Sequence, residues 1–101
     1  MNACRPTRRP LQASPEHVAA FKALAHLGRL RVFFHLVRAG GATSVGEIRK
    51  ALDIPAPTLS HHLESLRRAG LVTSRREERF VYDAVDPRMV SDLVRLLSAC
   101  C

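Results

Sequence analysis

This 101-residue sequence predicts a mainly α-helical domain of about five helices carrying one small β-hairpin. Three observations lead there. Apolar residues recur at helical spacing in five segments, separated by Gly, Pro and capping residues. The period shortens to that of strands only once, on either side of Ser74–Arg79. The composition, 47% hydrophobic and 25% charged, suits one folded domain with a single core rather than a disordered chain.

Residues 1–14 hold Cys4, three Arg and two Pro without periodicity, and read as a flexible basic arm. The folded domain is expected over 15–101. Its first helix starts at Ser14 as N-cap, with Pro15 in the first helical position and Glu16 in the first turn, and runs to about His26. Val18, Phe21 and Leu24/Ala25 share a face. A helix this apolar packs on two sides, which predicts a subunit contact. The second helix spans about Gly28 to Ala39, with Leu30, Phe33, Phe34 and Val37 along one side, and Gly40-Gly41 stops it. His26 and His35, beside these faces, read as structural.

Ser44-Val45-Gly46-Glu47 is a capping box that opens a short third helix to about Leu52, with Val45, Ile48 and Leu52 facing inward. Asp53–Pro57 then turns into a fourth helix, about Ala56 to Ala69. There Leu59, Leu63 and Leu66 form a narrow apolar stripe, and His61, Ser65 and Arg68 lie opposite, with Thr58 at the edge. A packed back and a polar, cationic front on the second of two closely joined helices is the helix-turn-helix arrangement, which places such a helix in a DNA major groove. Next come two short β-type runs, Leu71–Thr73 and Phe80–Tyr82. Between them lies SRREER, with Arg75, Arg76 and Arg79 near the hairpin tip. This hairpin completes a winged helix-turn-helix, the wing reaching phosphate or the minor groove. Asp86-Pro87 opens a fifth helix whose Met89, Val90, Leu93, Val94, Leu96 and Leu97 exceed one buried stripe. The first and last helices together predict a homodimer that presents two recognition helices about 34 Å apart, one DNA turn.

Charge points the same way. Sixteen Lys and Arg against nine Asp and Glu give +7, and 14 of the 16 cations are Arg, the planar fork that suits phosphate and guanine edges. A basic small domain is commonly a nucleic-acid binder and less often a membrane-surface protein, and with the helix-turn-helix pattern double-stranded DNA is the expected partner. No apolar run approaches the roughly 20 residues of a membrane span, and no apolar stretch follows the N-terminal arginines as in a secretory signal. The expectation is a cytoplasmic protein without a membrane partner and with reduced thiols. It is not expected to be an enzyme. It has no paired carboxylates at useful spacing, no Gly-rich phosphate loop and no HxxxH pattern. His61 and His62 are adjacent on a helix and chelate poorly.

The runs ALAHLGRLRVFFHL, EIRKALDIPAPTLSHHLESLRRAGLV and SRREERFVYDAVDP, with the closing helix, resemble the ArsR/SmtB-type transcriptional repressors over about Pro15 to Cys101. The resemblance implies a homodimer that sits on an operator and leaves when an inducer binds. By the same resemblance, Ala56, Thr58, Ser60, His61 and His62 contact DNA from the recognition helix, and Arg75, Arg76 and Arg79 from the wing. The chain also departs from the family. His26-Leu27-Gly28-Arg29 stands where the family often has Asp-Pro-Thr-Arg. Glu78 stands where the wing tip usually has Gly, which is expected to alter the turn. Glu47–Leu52 lacks the cysteine pair that many members carry there, and the closing helix lacks the His and carboxylate set of the zinc sensors.

No cofactor is expected to be required, which leaves Cys4, Cys100 and Cys101 as candidate inducer ligands. Neighbouring cysteines such as Cys100 and Cys101 make a structural disulfide poorly and suit a soft, thiophilic ion. Trivalent arsenic or antimony favours three thiolates. The arm after Cys4 spans about 30 Å when extended, enough to bring the third sulfur. Some arsenic-responsive members of the resembled family carry a vicinal pair at the end of the closing helix. Two other readings stay open: a thiol redox or persulfide sensor, and cysteines without an effector. A helix C-terminus and the chain carboxylate raise the thiol pKa of the pair, while Cys4 beside Arg5 is the more reactive.

Overall fold

The structure, a computed structural model, describes residues 11–98. The basic arm up to Pro10 and the proposed ligands Cys4, Cys100 and Cys101 lie outside the described residues. Five helices and three strands follow in order: α1 (Pro15–Leu24), α2 (Leu27–Ala39), β1 (Thr43–Ser44), α3 (Val45–Leu52), α4 (Ala56–Arg68), β2 (Val72–Glu77), β3 (Phe80–Val85) and α5 (Pro87–Ser98). The sheet is antiparallel in the order β1-β3-β2. The hairpin was legible in the sequence, but its third strand was not. β1 is only two residues long, paired Thr43 to Asp83 and Ser44 to Tyr82, too short to carry an alternation.

The helix ends follow local chemistry. The Ser44 hydroxyl accepts from Glu47 N–H at 3.2 Å while Glu47 Oε1 accepts from Ser44 N–H at 3.1 Å, the capping box as expected. These bonds hold the Glu47 carboxyl below its usual range, the Ser44 backbone contributing most. Asp86 Oδ1 accepts from Arg88 N–H at 2.9 Å and so caps α5. α2 is capped by an imidazole: His26 Nδ1 accepts from Gly28 N–H at 3.1 Å and Arg29 N–H at 3.4 Å. Arg29 Nε then donates to Ala23 O at 2.7 Å, satisfying a carbonyl left over at the end of α1. After α4, Gly70 takes φ +79°, Leu71 N–H donates to Leu66 O and Gly70 N–H to Arg67 O, both at 3.0 Å. This double bond pattern reverses the chain from recognition helix to wing.

Leu59, Leu63 and Leu66 of α4 are fully buried against Val32, Phe33 and Leu36 of α2, Ile48 of α3 and Leu71 of the wing. The terminal helices are laid out differently from the expected pattern. α1 turns its small residues Ala20 and Ala23, with His17, into the core. Its bulkier Val18 and Phe21 face outward with Phe34 and Val37 of α2. On α5 only Leu93 is buried, while Val94 and Leu97 are 58% and 74% exposed. One further contact ties the two terminal helices. Ser14 N–H donates to His17 Nδ1 at 3.0 Å, which leaves the ring proton on Nε2, 3.2 Å from Asp92 Oδ2.

The wing turn closes in two residues, Glu78 and Arg79, between the paired Glu77 and Phe80. Glu78 sits at φ +56°, in the left-handed region that glycine occupies freely. The tight turn is therefore kept, at the cost of strain in a glutamate. Glu78→Gly is expected to stabilise the protein by up to about 1 kcal/mol, since the relieved strain of about 1–2 kcal/mol is partly offset by the entropy of the unfolded glycine chain. A rise in the urea unfolding midpoint would register it.

Candidate nucleic-acid interface

The recognition helix presents its N-terminal half to solvent. Pro55 precedes it without a side-chain cap, and Pro57 lies in its first turn. With no side chain to occupy them, the first free N–H groups, at Ala56 and Thr58, point out of the helix start, where an anion such as DNA phosphate is favoured. Ala56, Thr58, Ser60 and His61 are all exposed. The expected polar face divides along its length. His61 is free at the outer end, whereas the half-buried Ser65 and the exposed Arg68 border a shallow hollow beside Ala19 and Ala23 of α1. Arg68 Nε is also engaged by Glu64 Oε2 at 3.6 Å.

His62 departs from the expected DNA-facing set. It is only 6% exposed and lies on the core side of α4, its ring centroid 5.1 Å from that of His26. A Cβ at Gly28 would stand 2.6 Å from His62 Nε2, so the glycine lets α2 and the recognition helix approach closely. The family resemblance had placed His62 among the contacts. Helical spacing puts it on the leucine side, three residues after Leu59 and about 60° from it.

His62 Nδ1 is buried with no hydrogen-bond partner among the described residues. Burial lowers the His62 pKa from its ordinary value, and the electrostatic influence of His26, Arg29 and His61 acts in the same direction. The folded chain thus binds fewer protons at this site than the unfolded chain once the pH falls below the ordinary value of 6.5. Stability is full above that value and declines as the pH drops through it. Urea midpoints measured from about pH 8 to about pH 5 should fall more steeply for wild type than for His62→Gln.

A buried ion pair that the sequence reading passed over joins helix to wing. Arg67 Nε and Nη2 each donate to one oxygen of Asp83, both at 3.0 Å. Asp83 on β3 is fully buried, and Arg67 also approaches Glu64 at 3.5 Å. The Asp83 bonds raise the Arg67 pKa further. A bidentate contact of this kind fixes angle as well as distance, so the wing strand and the recognition helix are held in one geometry.

The three wing arginines are exposed but not equivalent. The strands are longer than expected, so Arg75 and Arg76 lie along β2 and only Arg79 is at the tip. Alternation sends Arg75 and Arg76 to opposite faces. Arg75 pairs with Glu77 at 3.2 Å and lies 5.7 Å over the Tyr82 ring. Among the described residues neither Arg76 nor Arg79 has a carboxylate within 4.0 Å, which leaves both free for phosphate. A cleft of about 350 Å³ runs from Ser44–Gly46 at the start of α3, past Ser60, to Arg79 and Phe80.

No group of three or more potential metal ligands is present among the described residues, and no helix there is long and apolar enough to cross a membrane.

Comparison with known proteins agrees with this geometry. A family model described as a helix-turn-helix domain matches residues 24–75. The biofilm growth-associated repressor of Agrobacterium fabrum is 41% identical over 77% of this chain and 65% of that one, so the match spans just under two thirds of that relative's length. HlyU of Vibrio cholerae, a transcriptional activator, is 34% identical over 83% of this chain and 76% of that one. Its solved structure superposes with a TM-score of 0.70, covering 81% of this chain and 87% of that chain. The homodimeric winged helix-turn-helix DNA-binding domain of a possible ArsR-family regulator from Mycobacterium bovis superposes with a TM-score of 0.69 at 26% identity, over 85% of this chain and 84% of that chain. These proteins are named as regulators of transcription and not as enzymes, in keeping with a sequence that carries no catalytic constellation.

Proposed function

This chain belongs to the ArsR/HlyU family of winged helix-turn-helix transcriptional regulators, and from that premise we propose that it is a homodimeric repressor released from its operator by a thiophilic inducer. The observation that carries the DNA-binding part is the pairing of two exposed features on one rigid unit. The polar start of α4 and Arg76 and Arg79 of the wing, which have no carboxylate partner among the described residues, are joined through Arg67 and Asp83. Ala56, Thr58, Ser60 and His61 read the major groove, and the wing arginines hold phosphate or the minor groove beside it. The exposed apolar surface of Val18, Phe21, Phe34, Val94 and Leu97 supports a two-fold dimer through α1 and α5, to which α2 adds an edge.

The inducer in this proposal is trivalent arsenic or antimony held by Cys100 and Cys101 with Cys4 as third sulfur. Its support is the chemistry of a vicinal thiol pair next to the dimerisation helix α5. A ligand there changes how α5 meets its partner and moves the two recognition helices off the half-site spacing. Arsenite is expected to weaken operator binding by about 5- to 150-fold, the range of a coupling of about 1–3 kcal/mol. The double variant Cys100→Ser/Cys101→Ser should bind DNA normally and ignore arsenite. Equal induction of both proteins excludes the pair. Release by a thiol oxidant but not by arsenite replaces the metalloid with a redox signal.

A further inference from the structure

Phe80 is 53% exposed at the tip of the wing, and its strand partner is Glu77 rather than another apolar residue. The Tyr82 ring stands 6.4 Å away on the same strand, and no other ring contact is made by Phe80 among the described residues. A scattered surface aromatic needs no explanation, but this one has a defined setting. It adjoins Arg79, which has no carboxylate partner among the described residues, and it is among the residues lining the cleft that runs from Ser44–Gly46 past Ser60 of the recognition helix. Phe80 therefore borders the DNA-facing surface, with its ring on the strand face shared by Tyr82 and Arg75, opposite to Asp83. It is carried on a hairpin whose angle to that surface is fixed by Arg67 and Asp83.

We propose that Phe80 is an apolar wedge that enters the minor groove beside the recognition site and partly unstacks one base step, with Arg79 anchoring the flanking phosphates. This rests on the DNA-binding reading above and deepens it. A cation next to an exposed aromatic on a narrow projection is the chemistry by which proteins pry open the minor groove. Pyrimidine–purine steps unstack most easily, so Phe80 adds a preference for such a step at a position the recognition helix does not touch.

The test uses full-length protein and a duplex recovered by wild type from a randomised pool, with 2-aminopurine placed in turn at each step under the wing. Wild type is expected to brighten the probe several-fold at one step. Phe80→Ala is expected to lose that signal and about tenfold or more in affinity, with the same salt slope, because no phosphate contact is removed. Phe80→Leu, which keeps apolar bulk on the strand, should retain part of both. Absence of brightening at every step with tightly bound wild type overturns the wedge and leaves the DNA-binding reading intact. Unchanged affinity of Phe80→Ala, or a change in the mass of the DNA-free protein in its place, also overturns it. Failure of wild type to select or bind any duplex sinks the DNA-binding reading itself.

Discussion

Arg67→Met is expected to lower stability by about 3–5 kcal/mol, and Asp83→Asn by about 1–3 kcal/mol, although both remove the same ion pair. The asymmetry follows from burial. The Asp83 side chain is fully buried, while that of Arg67 remains 28% exposed and keeps Glu64 within 3.5 Å. Losing the arginine strands a carboxylate in the core. Losing the carboxylate leaves a guanidinium with water and a second acid to meet. Urea unfolding at fixed protein concentration would read the difference. The pair also sets the angle between wing and recognition helix, so Asp83→Asn should weaken operator binding even at temperatures where it is fully folded. Equal stability losses for the two variants would mean that Asp83 is reached by solvent or by another cation.

Leu97→Glu is expected to convert the protein to a monomer and lower operator affinity by about 10²- to 10⁴-fold, the gain that linkage gives two half-site contacts. Leu97 is 74% exposed and Val94 58%. With Phe21, Phe34 and Leu93 they line an apolar groove of about 260 Å³ between α1, α2 and α5. At a two-fold contact each substitution enters twice, so two unpaired carboxylates would be buried where leucines met. Sedimentation velocity reads the mass and anisotropy reads the affinity. A Leu97→Glu protein that remains dimeric would place the subunit contact elsewhere.

Much of this architecture could be read from the residues. The Ser44/Glu47 box, the Leu59, Leu63 and Leu66 stripe, Gly70 and the Asp86-Pro87 start each encode their element within one or two helical turns. What escaped was long-range or atypical. Asp83 carries its reason 16 residues away in Arg67. A signal was present, since alternation through Val81, Asp83 and Val85 sends a carboxylate inward. His26 caps α2 with an imidazole, which is not among the usual cap residues. The resemblance puts His62 at the DNA surface, whereas the helical period puts it on the core side of α4, where it is buried. For α1, an apolar face that stays exposed looks the same in sequence as one that enters the core. Only the packing of Ala20 and Ala23 distinguishes them. Which wing arginines have a carboxylate within reach among the described residues depends on the strand register, not on composition.

In the proposed complex the exposed start of α4 reads base sequence while the wing holds phosphate. The most direct measurement is anisotropy of a selected and a scrambled duplex across a salt series, for wild type, Ser60→Ala/His61→Ala and Arg76→Ala/Arg79→Ala. Log affinity should fall linearly with log salt. The arginine changes should reduce the slope by about 1 each on both duplexes, and the helix changes should reduce preference for the selected duplex with little change in slope. Wild type binding both duplexes equally, or helix variants that discriminate as well as wild type does, would contradict it.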